Sequence, residues 1–217
     1  MKEVEVPKSF LKSVEDADPV FSKKINRIFS KYGIRTVRNQ YDAQNILRES
    51  NSLALANDLF EELDSSNNEE ILTWLDLVCN SACPKLKIAQ WLIEKINNIN
   101  NAPEFTVEDE HIAWYFCEQL RQLRQLKYFD EYVKILDMKK LSNCRIPIVD
   151  LVSYSKRKDV NSILLSHIDD YDISGHVLYA LNRRHYEGIS KLADSFNDDK
   201  REFVIKLVKR IKKIKQT

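Results

Sequence analysis

Glycine, proline and cysteine are scarce in this chain of 217 residues, which contains three glycines, five prolines and four cysteines. A β-sandwich or barrel of this size needs many more turn residues. An α/β fold needs Val- and Ile-rich strands between its helices, and none is visible here. Four cysteines are also too few for a secreted domain held together by disulfides. These scarcities exclude most folds that contain strands, and they predict an all-α protein.

Long apolar runs are also missing, although 43% of the residues are hydrophobic. No segment approaches the roughly 20 apolar residues that a membrane span requires. The first 18 residues lack the apolar run of a secretory signal. We therefore expect a cytoplasmic protein that does not span a membrane.

The motifs of common active sites are absent as well. The three glycines lie far apart, and neither a Gly-x-Ser-x-Gly elbow nor a His-Glu-x-x-His helix occurs. Cys79 and Cys83 are spaced i, i+4, but no second pair or nearby histidine completes a set of four metal ligands. We expect no catalytic residue, metal or cofactor, and hence a protein that is not an enzyme. We expect Trp74, Trp91 and Trp114 to fill the core.

The sequence does contain a recurrence of apolar triplets with a spacing of four, the stripe of an α-helix. The triplets are Ile112, Phe116 and Leu120; Ile173, Val177 and Leu181; and Phe203, Leu207 and Ile211. They recur after 61 and then 30 positions, and a period near 30 is typical of repeats built from helix pairs. The pattern predicts one continuous stack over residues 106–215, with Ile112, Ile173 and Phe203 at equivalent positions.

Capping and turn residues mark the predicted helix ends. Asp18 and Pro19 begin a helix that Gly33 stops, and Thr106 caps a later one. Further helices are predicted over residues 42–48, 52–63 and 69–78, with another opened by Pro84 and a last one over about 200–215. The asparagine-rich residues 97–103 predict a loop. We expect about eleven helices in antiparallel pairs in a single domain over residues 1–217, with an irregular half at 1–103 and regular repeats at 104–217.

The C-terminal part resembles the HEAT-repeat family. The residues that carry the resemblance are 172–181, 189–192 and 198–204. An aspartate precedes the first helix there, Ala180-Leu181 ends its apolar stripe, and a basic residue begins the next unit. The resemblance is best over about 170–215, weaker over 106–169 and inferred over 19–100, and no regular ladder of Asp and Arg positions runs through every unit. It implies a short HEAT-like α-α superhelix, an α-solenoid whose relatives are mainly scaffolds for protein–protein interaction.

Charge is distributed unevenly along the chain, although the net charge is only +1. Residues 41–83 carry one basic and nine acidic groups, whereas residues 183–217 carry eleven basic and five acidic groups. The candidate partner-binding residues are Arg183, Arg184, Lys206, Lys209, Arg210 and Lys213. We expect them to face an acidic surface of another protein. The structural alternative is that the last helix only caps the stack, and the acidic residues 61–70 are a second possible surface.

Our first hypothesis for function is a non-enzymatic protein-binding scaffold. By analogy, it suits an inhibitor or immunity protein that masks a toxic enzyme. The alternative is nucleic-acid binding, because HEAT-like DNA glycosylases lay a basic concave face on DNA, although their catalytic motif is not matched residue by residue here. A third hypothesis is a lyase-type chaperone that loads a cofactor onto another protein. The sequence leaves the partner and the oligomeric state open.

Overall fold

A computed structural model describes residues 19–34, 37 and 39–214 of the chain. These residues form α-helices and two short 3₁₀-helices, and no strand occurs among them, which confirms the all-α prediction. The first five α-helices are α1 (Pro19–Ser30), α2 (Gln40–Glu49), α3 (Leu53–Ser65), α4 (Asn68–Cys79) and α5 (Lys85–Asn101). The other seven are α6 (Val107–Leu123), α7 (Phe129–Asp137), α8 (Ile146–Ser153), α9 (Val160–Leu165), α10 (Ser174–Arg183), α11 (Ile189–Asp194) and α12 (Glu202–Ile214). None of these helices combines the length and apolar character needed to cross a bilayer.

The chain divides into two compact units, residues 1–88 and 89–217, and the division falls inside α5. The loop predicted at residues 97–103 is wrong, because α5 stays helical to Asn101. Asn97 donates from its side chain to the carbonyl of Ile93 at 2.8 Å, inside the helix. The last carbonyls of a helix have no partner within the helix. At the end of α5 the Lys140 ammonium supplies one, because it donates to the carbonyls of Asn100 and Ala102. The predicted single domain stays a prediction.

In the first unit, α1 packs on α3, and α4 packs on both α2 and α3. The apolar stripe predicted for α1 is buried, with Ile25 and Phe29 fully enclosed. The predicted stop is confirmed, because the turn after α1 ends at Gly33 with a φ of 68°. Ser52 caps α3 by accepting a hydrogen bond from the Leu55 amide at 3.2 Å. The predicted cap Asp18 lies outside the described residues.

In the second unit, the helices that open successive pairs contact one another: α6 packs on α8, α8 on α10, and α10 on α12. We call these four the first helices. The shorter helices α9 and α11 each pack on the first helices before and after them, and α7 packs on α8. Thr106 and Asp109 close a capping box at the start of α6, as the sequence predicted for Thr106. The HEAT-like superhelix itself stays a prediction.

Eight of the nine residues of the recurring triplets are buried, and Phe203 is the exception at 41% exposed. The prediction that Phe203 is equivalent to the buried Ile112 and Ile173 is therefore wrong. Val204 takes the core position instead and packs in a cluster with Leu207 and Ile211. Phe203 instead lies against the His176 ring, with 4.7 Å between the ring centroids.

Candidate functional site

A cleft of about 260 Å³ crosses three of the first helices of the second unit. Its walls include Trp114 from α6 and Tyr179 from α10, while Val149 and Ala180 are buried residues that line it. The cleft exists because α8 presents small and medium apolar side chains between two helices that carry large ones. It is therefore a depression with an apolar base and aromatic rims.

The aromatic residues around this cleft are exposed, so packing of the core does not explain their presence. Trp114 is 46% exposed and Tyr179 is 42% exposed, so the prediction that Trp114 fills the core is wrong, although Trp74 and Trp91 are buried. Phe203 extends the row, because its ring contacts His176, which also lines the cleft. The sequence held a signal for two of them: Trp114 and Tyr179 stand two positions after a stripe residue, which turns them away from the buried face.

Alternating charges form the polar wall of the cleft. Arg121 donates to both carboxylate oxygens of Glu118, at 2.8 and 2.5 Å, and approaches Asp150 Oδ2 at 3.5 Å. Arg183 contacts Asp150 Oδ1 at 2.8 Å. The hydrogen bond from Arg121 holds the pKa of Glu118 below its ordinary value and outweighs the effect of burial. The cleft thus has a network of ion pairs that joins α6, α8 and α10.

His176 is the titratable ring of the cleft. Burial is the main cause that lowers its pKa, and the positive charge of Arg201 lowers it further, while Asp150 acts in the opposite direction. The ring is therefore neutral at physiological pH. A neutral imidazole against Phe203 adds to the apolar character of this rim.

The structure assigns a packing role to two of the predicted partner-binding residues, Arg183 and Arg184. Arg184 donates to the carbonyls of Ser153 at 2.7 Å and Ser155 at 2.8 Å, and to Asn161 Oδ1 at 2.7 Å. It therefore satisfies carbonyls at the C-terminal end of α8 that have no partner within the helix. Arg183 is held by Asp150, as described above. Neither guanidinium forms a hydrogen bond or ion pair with α12 in the described part of the chain, so the predicted six residues do not form one bonded group.

The basic residues of α12 lie where the sequence predicted them. Lys206, Lys209, Arg210 and Lys213 are exposed, on the side opposite the buried Val204, Leu207, Val208 and Ile211. Lys206 pairs with Glu202 at 2.6 Å. The other three have no side-chain hydrogen bond or ion pair to any described residue. Residue 215, the predicted end of this helix, lies outside the described residues.

In the acidic segment 61–70, which the sequence offered as an alternative surface, two of the five carboxylates form ion pairs with described residues of the first unit. Lys24 contacts Glu70 at 2.5 Å, Arg27 contacts Glu62 at 3.3 Å and Lys31 contacts Asp58 at 2.8 Å. Helix α1 and the turn that follows it thus supply cations to the helices that carry these carboxylates. The pairing reduces the negative potential that the charge count implies.

The cysteines have little nucleophilic character. Cys83, Cys117 and Cys144 are buried and Cys79 is partly buried; no disulfide joins them. Burial raises the pKa of Cys79 to about 12 and that of Cys144 to about 11, so both thiols are protonated at neutral pH. Within residues 19–34, 37 and 39–214, no group of three or more His, Cys, Asp and Glu side chains is arranged to hold a metal ion.

The chain matches no protein-family model, no curated protein and no solved structure.

Proposed function

We propose that this chain is a non-enzymatic, cytoplasmic protein-binding scaffold, and that its binding surface is the cleft on the first helices of the second unit. The observation that carries the proposal is the pair of exposed aromatic side chains, Trp114 and Tyr179, that line the cleft, with the exposed Phe203 against the cleft residue His176. Tryptophan and tyrosine, together with arginine, supply most of the binding energy at protein interfaces. A contiguous aromatic patch on a folded surface is typical of an interaction site.

The size and rigidity of the cleft favour a protein partner. Small-molecule pockets are commonly about 300 Å³ or larger, and this cleft is slightly below that range at about 260 Å³. It suits one protruding apolar side chain of a partner. Its rims stand on helices, and the ion pairs of Arg121 and Asp150 hold those helices together, so little conformational entropy is lost on binding.

The alternative of nucleic-acid binding is disfavoured at this site. Glu118 and Asp150 pair with Arg121, the arginine that lines the cleft, so their carboxylates compete with phosphate groups for this cation. The more specific role as an inhibitor or immunity protein for a toxic enzyme stays a prediction, because the cleft does not specify the activity of its partner.

The test compares bait proteins in quantitative affinity capture from the source cell, followed by titration of the captured partner. The double variant Trp114→Ala/Tyr179→Ala should reduce affinity for that partner at least tenfold, roughly the 1.4 kcal/mol or more expected for two interface aromatics. The matched control is Tyr41→Ala in the first unit, which removes an aromatic ring that is 62% exposed. The control should bind as the unaltered protein does.

Equal binding by all three proteins would refute the cleft as the binding surface. A second measurement addresses the nucleic-acid alternative directly, by titrating duplex DNA over a range of salt concentrations. A log–log slope near −5 or steeper, which implies about five or more phosphate contacts, would favour that alternative.

A further inference from the structure

Three segments that follow the first helices α6, α8 and α10 form a continuous basic surface beside the cleft. They are residues 124–130, 154–159 and 183–188, which together contain seven basic and three acidic groups, a net charge of +4. We call their outward-facing cations the basic edge. Its members are Arg124, Lys127, Lys156 and Lys158, all of which are exposed.

Direct contacts join the first two segments. The guanidinium of Arg124 lies over the Tyr154 ring, 4.2 Å from its centroid. Arg157 lies over the Phe129 ring at 4.3 Å and contacts Asp130 at 2.6 Å. These cation–π contacts and the ion pair fix the spacing between the end of α6 and the end of α8.

Arginines also join the second segment to the third. Arg183 lies over the same Tyr154 ring, 4.5 Å from its centroid, so one tyrosine carries two guanidinium groups. The hydrogen bonds of Arg184 to the carbonyls of Ser153 and Ser155 complete the connection. The three segments therefore form one assembled surface in the described structure.

The cations of this surface divide into two groups. Arg157, Arg183 and Arg184 are engaged by carboxylates or backbone carbonyls, so they hold the surface together. In contrast, Arg124, Lys127, Lys156 and Lys158 are exposed. Their side chains form no hydrogen bond or ion pair with any described residue. The Tyr154 ring holds the Arg124 guanidinium in place. No carboxylate in the described part of the chain pairs with Arg124, so this cation is positioned for a negative ligand.

We propose that the basic edge binds an acidic segment of the protein partner. Neighbouring packed helices are about 8–10 Å apart, so the three segments span roughly 20 Å. An extended peptide rises about 3.3 Å per residue, which makes the bound segment about six residues long. Discrete carboxylates of such a segment can meet Arg124, Lys156 and Lys158, and electrostatic attraction accelerates their encounter.

Peptide carboxylates fit this edge better than a nucleic acid does. The carboxylates of Asp130, Asp159 and Glu187 interrupt the row of cations, and they repel an uninterrupted phosphate backbone. The ring of Tyr154 is engaged by two guanidiniums, which leaves it poorly suited to stack on bases. The proposal rests on the proposed function in one respect, because that function is the reason for assigning the acidic segment to a protein. The edge and the cleft are separate sets of side chains, so each can be tested alone.

The test measures binding of a fluorescein-labelled octaglutamate peptide to the full chain by anisotropy, at about 0.15 M salt. The triple variant Arg124→Glu/Lys156→Glu/Lys158→Glu should lose at least tenfold in affinity. The control is Lys23→Glu/Lys85→Glu/Lys191→Glu, which changes the net charge equally at exposed lysines outside the basic edge and should stay within about twofold. Melting temperatures show whether each variant is folded. If the triple charge reversal unfolds the chain, Lys156→Gln/Lys158→Gln replaces it, with a loss of about threefold or more expected.

An equal loss in both charge-reversal variants would overturn the proposal, since net charge alone would explain it, and so would an absence of peptide binding to the unaltered protein. Tighter binding of an octathymidylate oligonucleotide than of octaglutamate at the same salt would assign the edge to nucleic acid instead. The cleft variant Trp114→Ala/Tyr179→Ala should bind octaglutamate normally. A failure at the edge and a failure at the cleft are therefore distinguishable.

Discussion

Arg145 and Asp170 form a buried two-point ion pair, in which Nη1 donates to one carboxylate oxygen at 2.8 Å and Nη2 to the other at 3.3 Å. The Arg145 side chain is fully buried. Its remaining hydrogen bonds go to the carbonyls of Leu136 at 2.7 Å and Ser142 at 3.0 Å. The pair joins the segment before α8 to the segment before α10. A fully bonded guanidinium tolerates burial, whereas one that has lost its carboxylate does not.

The substitution Asp170→Ala should therefore lower the free energy of unfolding by about 3–5 kcal/mol, because it leaves a buried charge without its counter-ion. Chemical denaturation with urea measures this value. The control is Asp172→Ala, which removes a more exposed carboxylate 3.7 Å from Arg145 and should lower stability by less than about 1 kcal/mol. Equal effects of the two substitutions would show that the buried pair has no special role.

Acid should destabilise the protein, and Asp170 should contribute to that effect. Burial opposes ionisation of Asp170, but the hydrogen bonds and charge of Arg145 outweigh it and hold its pKa below the ordinary value of 3.8. A lowered pKa in the folded state adds stability that is complete above that ordinary value and disappears as the pH falls through the folded-state value. Denaturation at several pH values below about 5 should show a decline that is shallower in Asp170→Asn. A steeper decline in the variant would contradict this.

Gly175 allows α10 and α12 to approach closely. A Cβ atom at this position would lie 2.5 Å from Phe203 Cζ and 2.6 Å from Val204 Cγ2. Gly175→Ala should therefore destabilise the protein by about 1–3 kcal/mol, despite the better helix propensity of alanine. Thermal and urea denaturation measure the change. The double variant Gly175→Ala/Phe203→Ala removes one of the two clashes and should recover part of the loss. No recovery would mean that Phe203 does not limit the approach.

Leu207 and Phe203 should respond differently to truncation, although both belong to one predicted stripe. Leu207 lies in the cluster of buried residues, whereas Phe203 is half-exposed. Leu207→Ala should cost about 2–5 kcal/mol, as buried leucine truncations do. Phe203→Ala should cost about 1 kcal/mol or less, because much of its ring already contacts water. Similar unfolding midpoints for the two variants would contradict the orientation of α12.

The predicted binding role of α12 is tested by Lys206→Glu/Lys209→Glu/Lys213→Glu. Exposed substitutions of this kind should change stability by no more than about 0.5 kcal/mol each. If this face contacts an acidic partner, affinity for that partner should fall at least tenfold, chiefly through a slower, salt-sensitive association rate. Association kinetics at two salt concentrations measure this effect. Unchanged binding would leave α12 with only its capping role.

Local features of the sequence determined the helical class and most helix boundaries. Thr106, Ser52 and Gly33 act within one turn of their own position, so their effect on the chain can be read without knowing the fold. Apolar spacing likewise identified the buried stripe of α6, because the helical period relates those positions directly. The exposed row of lysines on α12 followed from the same period.

Only the tertiary structure decided which polar and aromatic side chains are bonded and which remain exposed. The sequence predicts Arg184 to be an unpaired cation, but Arg184 donates hydrogen bonds to carbonyls about 30 positions away. No local sequence pattern indicates such contacts. Lys140 likewise lengthens α5 from nearly 40 positions away. The close approach at Gly175 places Phe203 outside the core and beside the cleft. Helix formation depends on neighbours within a few residues, whereas the cleft that we propose as the binding surface depends on side chains that meet only after the helices have packed.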